Sequence, residues 1–154
     1  MSRLAGFLAV VAATGFGAGF SPLAPGTAGS AVGVLAALAA AFAHLPPLVL
    51  AVPLFPVGVW AAAVCGRRYG SHDDGRIVID EIVGQLVALA WIPARPGWFL
   101  AGFLVFRFFD IVKPFPAGHI DRRWHTPFGV MADDVVAGVY ANLALQVARA
   151  ALAP

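Results

Sequence analysis

The chain has 154 residues, 60% of them hydrophobic and 12% charged, with a mean hydropathy of +0.84, which excludes an ordinary soluble domain and fits a single integral membrane domain. Ten basic residues against eight acidic ones leave a net charge of +2, too small an excess for a nucleic-acid binder and better suited to anionic lipid headgroups. A lone cysteine, Cys65, excludes an internal disulfide or a metal–thiolate cluster and reads as a small packing residue.

In chain order, Met1-Ser2-Arg3 leads into an apolar stretch over about 4–20 that resembles a signal peptide without a clear cleavage site, so it reads as part of the mature protein. Its glycines, Gly6, Gly15, Gly17 and Gly19, favour an interfacial or re-entrant element over a span. Ser21 to Ser30 forms a Gly/Thr/Ser loop, in which Gly26 and Thr27 could offer N–H and hydroxyl groups to an anion at a helix start; equally, it could be a membrane-surface turn capped by Thr27. Apolar runs follow over 28–44, 47–65, 82–106 and 135–152. A spanning helix needs roughly 20 residues, which only the run over 47–65 and the last one approach comfortably. Pro93 to Gly97 interrupts 82–106 and predicts a turn between two short helices, about 78–92 and 97–113. The expected fold is therefore all-α: a polytopic membrane helical bundle with short, partly re-entrant helices and active-site loops on the cytoplasmic face.

Residues 4–66 contain no Asp, Glu, Lys or Arg, and all eight acidic residues fall between Asp73 and Asp134. The hairpin would bring Asp80-Glu81 and Asp110-Lys113 together at its open end. Arg67, Arg68, Arg76, Arg107, Lys113, Arg122 and Arg123 collect on that side, with Arg95 alone at the far tip, and the positive-inside rule makes the basic side cytoplasmic. Asp80-Glu81 and Asp133-Asp134 each open an apolar helix in this reading, followed one turn later by a glycine, Gly84 or Gly138, that lets another helix approach closely. Capping and the helix dipole explain one carboxylate of each pair; the second is repelled unless a cation intervenes. Mg²⁺ is the natural cation, since it takes hard oxygen ligands and substrate phosphates, whereas His72 and His125 lack zinc-site spacing. His44 reads as a loop or interface residue, and His119 has no assigned role. Arg107, Asp110 and Lys113, spaced by three, share one helix face that Pro114 terminates. That stripe suits a phosphate and its metal, or else charged side chains snorkelling to the interface.

The glycine loop lacks a Gly-Lys-Ser/Thr ending, so nucleotide use is not supported, and the motifs of cysteinyl-, aspartyl- and histidine-nucleophile phosphatases are absent. Asp74-Gly75-Arg76 matches only the start of the CDP-alcohol phosphotransferase motif. Three blocks, in order and together covering nearly the whole chain, resemble phosphatidylglycerophosphatase A, a bacterial membrane phosphatase family. They are Gly15-Phe16-Gly17 through Ser21-Pro22 to Ala24-Pro25-Gly26-Thr27; His72-Asp73, Gly75 and Asp80-Glu81-x-x-Gly84; and Phe106-Arg107-x-x-Asp110-x-x-Lys113-Pro114-x-Pro116, Asp121-Arg122, His125 and Gly129-x-Met131-x-Asp133-Asp134-x-x-Ala137-Gly138. Residues 31–65 and 86–105 match only in hydrophobicity.

The resemblance implies hydrolysis of phosphatidylglycerophosphate in the bilayer to phosphatidylglycerol and inorganic phosphate, with Mg²⁺, at the cytoplasmic face of the bacterial inner membrane. Asp80, Glu81, Asp110, Asp133 and Asp134 would hold one or two ions, with a spare carboxylate as base. Lys113, Arg107, Arg122 and the Gly26-Thr27 loop would meet the phosphoryl oxygens, and His72 or His125 would protonate the leaving oxygen. Asp73 and Asp121 rank below the central five, as metal ligands or partners of Arg122, and Asp74 is dispensable. Assembly into a homo-oligomer stays open. The alternative function is a cation- or proton-coupled transporter, which would use such carboxylates near the bilayer midplane; here they map to segment ends.

Overall fold

The computed structural model describes residues 2–72 and 74–152, and every regular element among them is helical. The α-helices are α1 (Arg3–Ala13), α2 (Pro25–Phe42), α3 (Leu48–Tyr69), α4 (Ile79–Ala88), α5 (Pro96–Val112), α6 (Ala117–Arg123) and α7 (Pro127–Ala151), with a 3-10 turn at Ala18–Phe20. Three of them, α2, α3 and α7, are long and apolar enough to cross a membrane. The expectation of two comfortable spans thus gains α2, which reaches 18 residues because Pro25 occupies its first turn and extends the helix ahead of the apolar run. With 11 residues, α1 is too short to cross.

One boundary and one added helix differ from the sequence reading and move functional residues. The last helix starts at Pro127 rather than near 135, because the Thr126 hydroxyl accepts from the Gly129 N–H at 3.0 Å and Pro127 follows as the first helical residue. Asp133 and Asp134 therefore lie inside α7 and do not open it, whereas Asp80 and Glu81 do occupy the first turn of α4. The segment before α7 carries a further helix, α6, which hydrophobic periodicity did not reveal because it is a seven-residue polar stretch.

The core is built around α4, which packs most extensively on α7 and α2. At the α4–α7 crossing, a Cβ on Gly138 would strike the Gly84 carbonyl oxygen, and one on Gly84 would lie 2.7 Å from the Asp134 carbonyl oxygen. The two glycines of the repeated acidic-apolar pattern thus face each other and set how closely the acidic pairs approach. The far end of α4 stops in apolar surroundings, where unsatisfied carbonyls are costly. Side chains of α7 cover them: Asn142 Nδ2 donates to the Ala88 and Ala90 carbonyls at 3.0 and 2.7 Å, Gln146 reaches Ala90 at 3.4 Å, and Arg149 donates to the Trp91 carbonyl at 3.0 Å. Arg149 therefore joins Arg95 at the hairpin's far end, so Arg95 is not alone there.

Candidate active site

The first turn of α4, the last turns of α5, the start of α2 and the interior of α7 converge at one end of the bundle. Asp80, Glu81 and Asp134 each offer an oxygen within 4.8 Å of the others. Asp80 and Asp134 are buried, as are Asp110 and Asp133. On the α2 side, a side chain at Gly26 would collide with Glu81 Oε1 and crowd the Arg107 guanidinium, so glycine there lets α2 close over this corner. The Arg107 guanidinium donates to Asp110 Oδ2 in a close ion pair. Burial, then the neighbouring charges of Glu81 and Asp134, pushes the Asp80 carboxyl well above the usual carboxylate range.

Lys113 ends α5 in a left-handed conformation, φ 44°, an uncommon one for a side-chain-bearing residue, which turns the chain as the helix stops. Its ammonium consequently leaves the Asp110 face that the three-residue spacing predicted and donates to Asp121 Oδ1 at 2.7 Å and, in a close contact, to Asp133 Oδ2. Burial opposes its charge, but the hydrogen bonds to Asp121 and Asp133 outweigh that penalty and hold its pKa above the ordinary lysine range. Lys113 lines a polar cavity of about 80 Å³ together with His72, Asp80, Asp121, His125 and Asp133. That is several times the space one water needs and is the size class of a phosphate group. Asp80 is shared between the cavity and the carboxylate cluster.

Several predicted site residues lie elsewhere. Thr27 is exposed in the first turn of α2, whose N-cap is Ala24, so Thr27 is not the helix cap; Gly26 and Thr27 do lie at the helix start, where the sequence placed their N–H groups. Arg122 is exposed at the end of α6, and Asp121 partners Lys113 instead of Arg122. Asp74 is held below the usual carboxylate range by hydrogen bonds from Arg76, outside the cavity. Asp73 lies outside the described residues. His44 sits in the loop after α2, and the exposed His119 packs edge-on against the Phe115 ring. The sequence reading missed Ser71 and Trp124, which line the cavity. It also missed Gln85, fully buried, with neither amide atom hydrogen-bonded among the described residues; its signal was a lone amide one turn past Glu81 in an apolar helix.

Buried oxygens test whether the cluster suits a cation. Glu81 Oε2, Asp133 Oδ1 and Asp134 Oδ2 are shielded from solvent and have no hydrogen-bond partner among the described residues. Unpaired buried carboxylate oxygens are costly, and a hard divalent cation is the partner an all-oxygen set accepts best. The donor set therefore fits Mg²⁺.

Residues 11–149 match the family model for phosphatidylglycerophosphatase A. The chain belongs to the phosphatidylglycerophosphatase A family. A Haemophilus influenzae phosphatidylglycerophosphatase A is 41% identical over 132 residues, spanning 84% of this chain and 81% of the relative. The Escherichia coli phosphatidylglycerophosphatase A is 39% identical over 129 residues, 82% and 75%. A Bacteroides thetaiotaomicron protein, provisionally named a phosphatidylinositol-3-phosphatase, is 41% identical over 152 residues, 93% and 94%. No solved structure gives a significant match. The family's matched span runs from α1 almost to the end of α7 and so contains the whole carboxylate cluster and the Lys113 cavity.

Proposed function

We propose that this phosphatidylglycerophosphatase A family member hydrolyses phosphatidylglycerophosphate to phosphatidylglycerol and inorganic phosphate, at the cytoplasmic face of a bacterial inner membrane, with Mg²⁺ held by Asp80, Glu81 and Asp134. One observation carries the reading: a buried cluster of carboxylates with unpartnered oxygens shares Asp80 with a phosphate-sized cavity whose wall holds Lys113. The chemistry supplied by bound Mg²⁺ is neutralisation of phosphomonoester charge and a lowered pKa for the attacking water.

The protein's own residues divide the remaining work. Lys113, kept charged by Asp121 and Asp133, sits where it can meet the phosphoryl oxygens, the main electrostatic need of phosphoryl transfer. Asp80 faces both cluster and cavity and is the carboxylate best placed to orient the attacking water. His72 and His125 line the same cavity, and one of them supplies the leaving glycerol oxygen with its proton. Arg107 lies near Glu81 at the Gly26 corner and fixes Asp110, a positioning role beside the phosphate contact expected of it.

Purified protein in detergent, assayed for phosphate release from phosphatidylglycerophosphate with Mg²⁺ or with EDTA, tests this. Release with Mg²⁺ and loss of release in EDTA are expected; no metal-dependent release from any lipid phosphate would remove the reading. The Bacteroides relative's name gives a specific reason to assay phosphatidylinositol 3-phosphate in parallel, and a higher kcat/KM on that lipid would reassign the headgroup while leaving the phosphatase reading intact. The transporter alternative has no support from the family or from the site.

A further inference from the structure

A cavity of about 80 Å³ has no room for acyl chains, and two of the apolar clefts on the bundle's sides extend toward the site's end. One, about 690 Å³, lies between α2 and α5 and includes Leu35, Leu38, Phe99 and Phe103. The other, about 290 Å³, lies between α3, α4 and α7 and includes Val52, Phe55, Val83, Val87 and Val135. Volume favours the first. Continuity favours the second, for three reasons.

On α4, Asp80, Val83 and Val87 are spaced by three and four residues and so form one stripe, which runs from the cavity wall down into the smaller cleft. On α7, Phe128 and Val135 lie seven apart on a second such stripe. Aromatic rings bridge the space between: Trp124, which lines the cavity, packs on Phe128 at 6.3 Å, and Phe128 packs edge-on against Phe55 of the cleft at 5.5 Å. Trp124 and Phe128 are about half exposed, so the path from cavity to cleft lies along the surface and is open to lipid. The α2–α5 cleft instead ends one helical turn short of Arg107, where the guanidinium pairs with Asp110 and abuts Gly26.

Resting on the phosphatase reading above, we infer that the α3–α4–α7 cleft is the acyl-chain subsite for the lipid phosphomonoester, with Trp124, Phe128 and Phe55 as the lip over which the glycerol backbone passes. The substrate then enters sideways from the bilayer, tail along α4 and phosphate beside Lys113. Apolar, mostly preformed grooves with a few polar groups at one end are the usual form of such sites, and tail contacts remote from the reaction contribute to kcat/KM.

Two measurements test it. A phosphomonoester lipid bearing a diazirine on its acyl chain is photolysed with the full-length protein in lipid nanodiscs, with or without excess unlabelled phosphatidylglycerophosphate. Displaceable labelling at Phe55 and Val135 is expected; displaceable labelling at Leu38 or Phe103 instead, or none that competes, overturns the inference. Val52 is 70% exposed on the cleft rim, so Val52→Trp can fill the cleft without disturbing the core. It should lower the ratio of kcat/KM on dioleoyl to dihexanoyl phosphatidylglycerophosphate by about tenfold, while Leu35→Trp in the other cleft leaves that ratio unchanged. The opposite pattern, or an unchanged ratio in both, overturns the proposal. Wild-type protein that releases no phosphate from either lipid would count against the phosphatase reading, and the photolabelling would still decide whether the cleft takes a lipid tail.

Discussion

The two acidic pairs look alike in sequence, Asp80-Glu81-Ile82-Val83-Gly84 and Asp133-Asp134-Val135-Val136-Ala137-Gly138, and occupy different positions in their helices. Asp80 and Glu81 sit in the first turn of α4, where free N–H groups and the helix dipole favour negative charge. Asp133 and Asp134 sit in the interior of α7, where neither source is available. Asp133 is neutralised by Lys113; Asp134, turned toward Asp80 and Glu81, has no cationic partner among the described residues and keeps an unpartnered buried oxygen. Asp134 is thus the carboxylate most dependent on a cation from outside the chain. Matching local patterns can supply one site with residues that need different compensation.

The sharpest way to break that comparison is Asp134→Asn. Turnover should fall by on the order of a thousandfold, the scale of losing a principal electrostatic group. Thermal unfolding in EDTA should occur at or above the wild-type temperature, because an uncompensated buried charge is gone. The rise in unfolding temperature that Mg²⁺ gives the wild type through binding linkage should disappear. A variant that stays active, or one destabilised in EDTA, would remove Asp134 from the cation site and return it to a structural role.

Lys113→Ala probes the paired side of the contrast and should cost less, roughly a hundredfold in turnover. Here the unfolding temperature should fall in EDTA as well as in Mg²⁺, since Asp133 is left buried without its cation, a change that costs about 3–5 kcal/mol where a buried pair is broken. Equal unfolding temperatures for Lys113→Ala and the wild type would mean that Asp133 has another partner and that the two halves of the acidic pair are equivalent.

What the sequence disclosed of this arrangement follows from which interactions are local. The hairpin broken at Pro93–Gly97, the apolar runs and the gathering of Asp80, Glu81, Asp110 and Lys113 near one end depend on periodicity and breakers within a few residues. The positions that had to be revised depend on single capping or tertiary events. Thr126 and Pro127 start α7 early and place Asp133-Asp134 inside it. The left-handed Lys113 redirects its ammonium from Asp110 to Asp121 and Asp133. Pro25 starts α2 early, so that Ala24 and not Thr27 takes the cap position. Asn142, Gln146 and Arg149 gave no sign of covering the end of α4, because nothing in their own segment says which carbonyls lie opposite.

The smallest expected effect concerns the remaining carboxylate that resembles a site residue on paper. Asp74 lies close in sequence to His72 and Asp80, yet both its oxygens are engaged by Arg76, whose guanidinium in turn lies 3.8 Å from the centre of the Tyr69 ring. This pair sits on the surface, with the Arg76 side chain 44% exposed, so its contribution to stability is small and screened by solvent. Asp74→Asn should therefore leave Mg²⁺-dependent phosphate release within about twofold of wild type, because no charge in the cluster or the cavity loses a partner. A loss as large as that of Asp134→Asn would mean that the 70–78 loop supplies a carboxylate to the cation after all, and the division between the pair that leans on a helix end and the pair that needs an ion would have to include a third member.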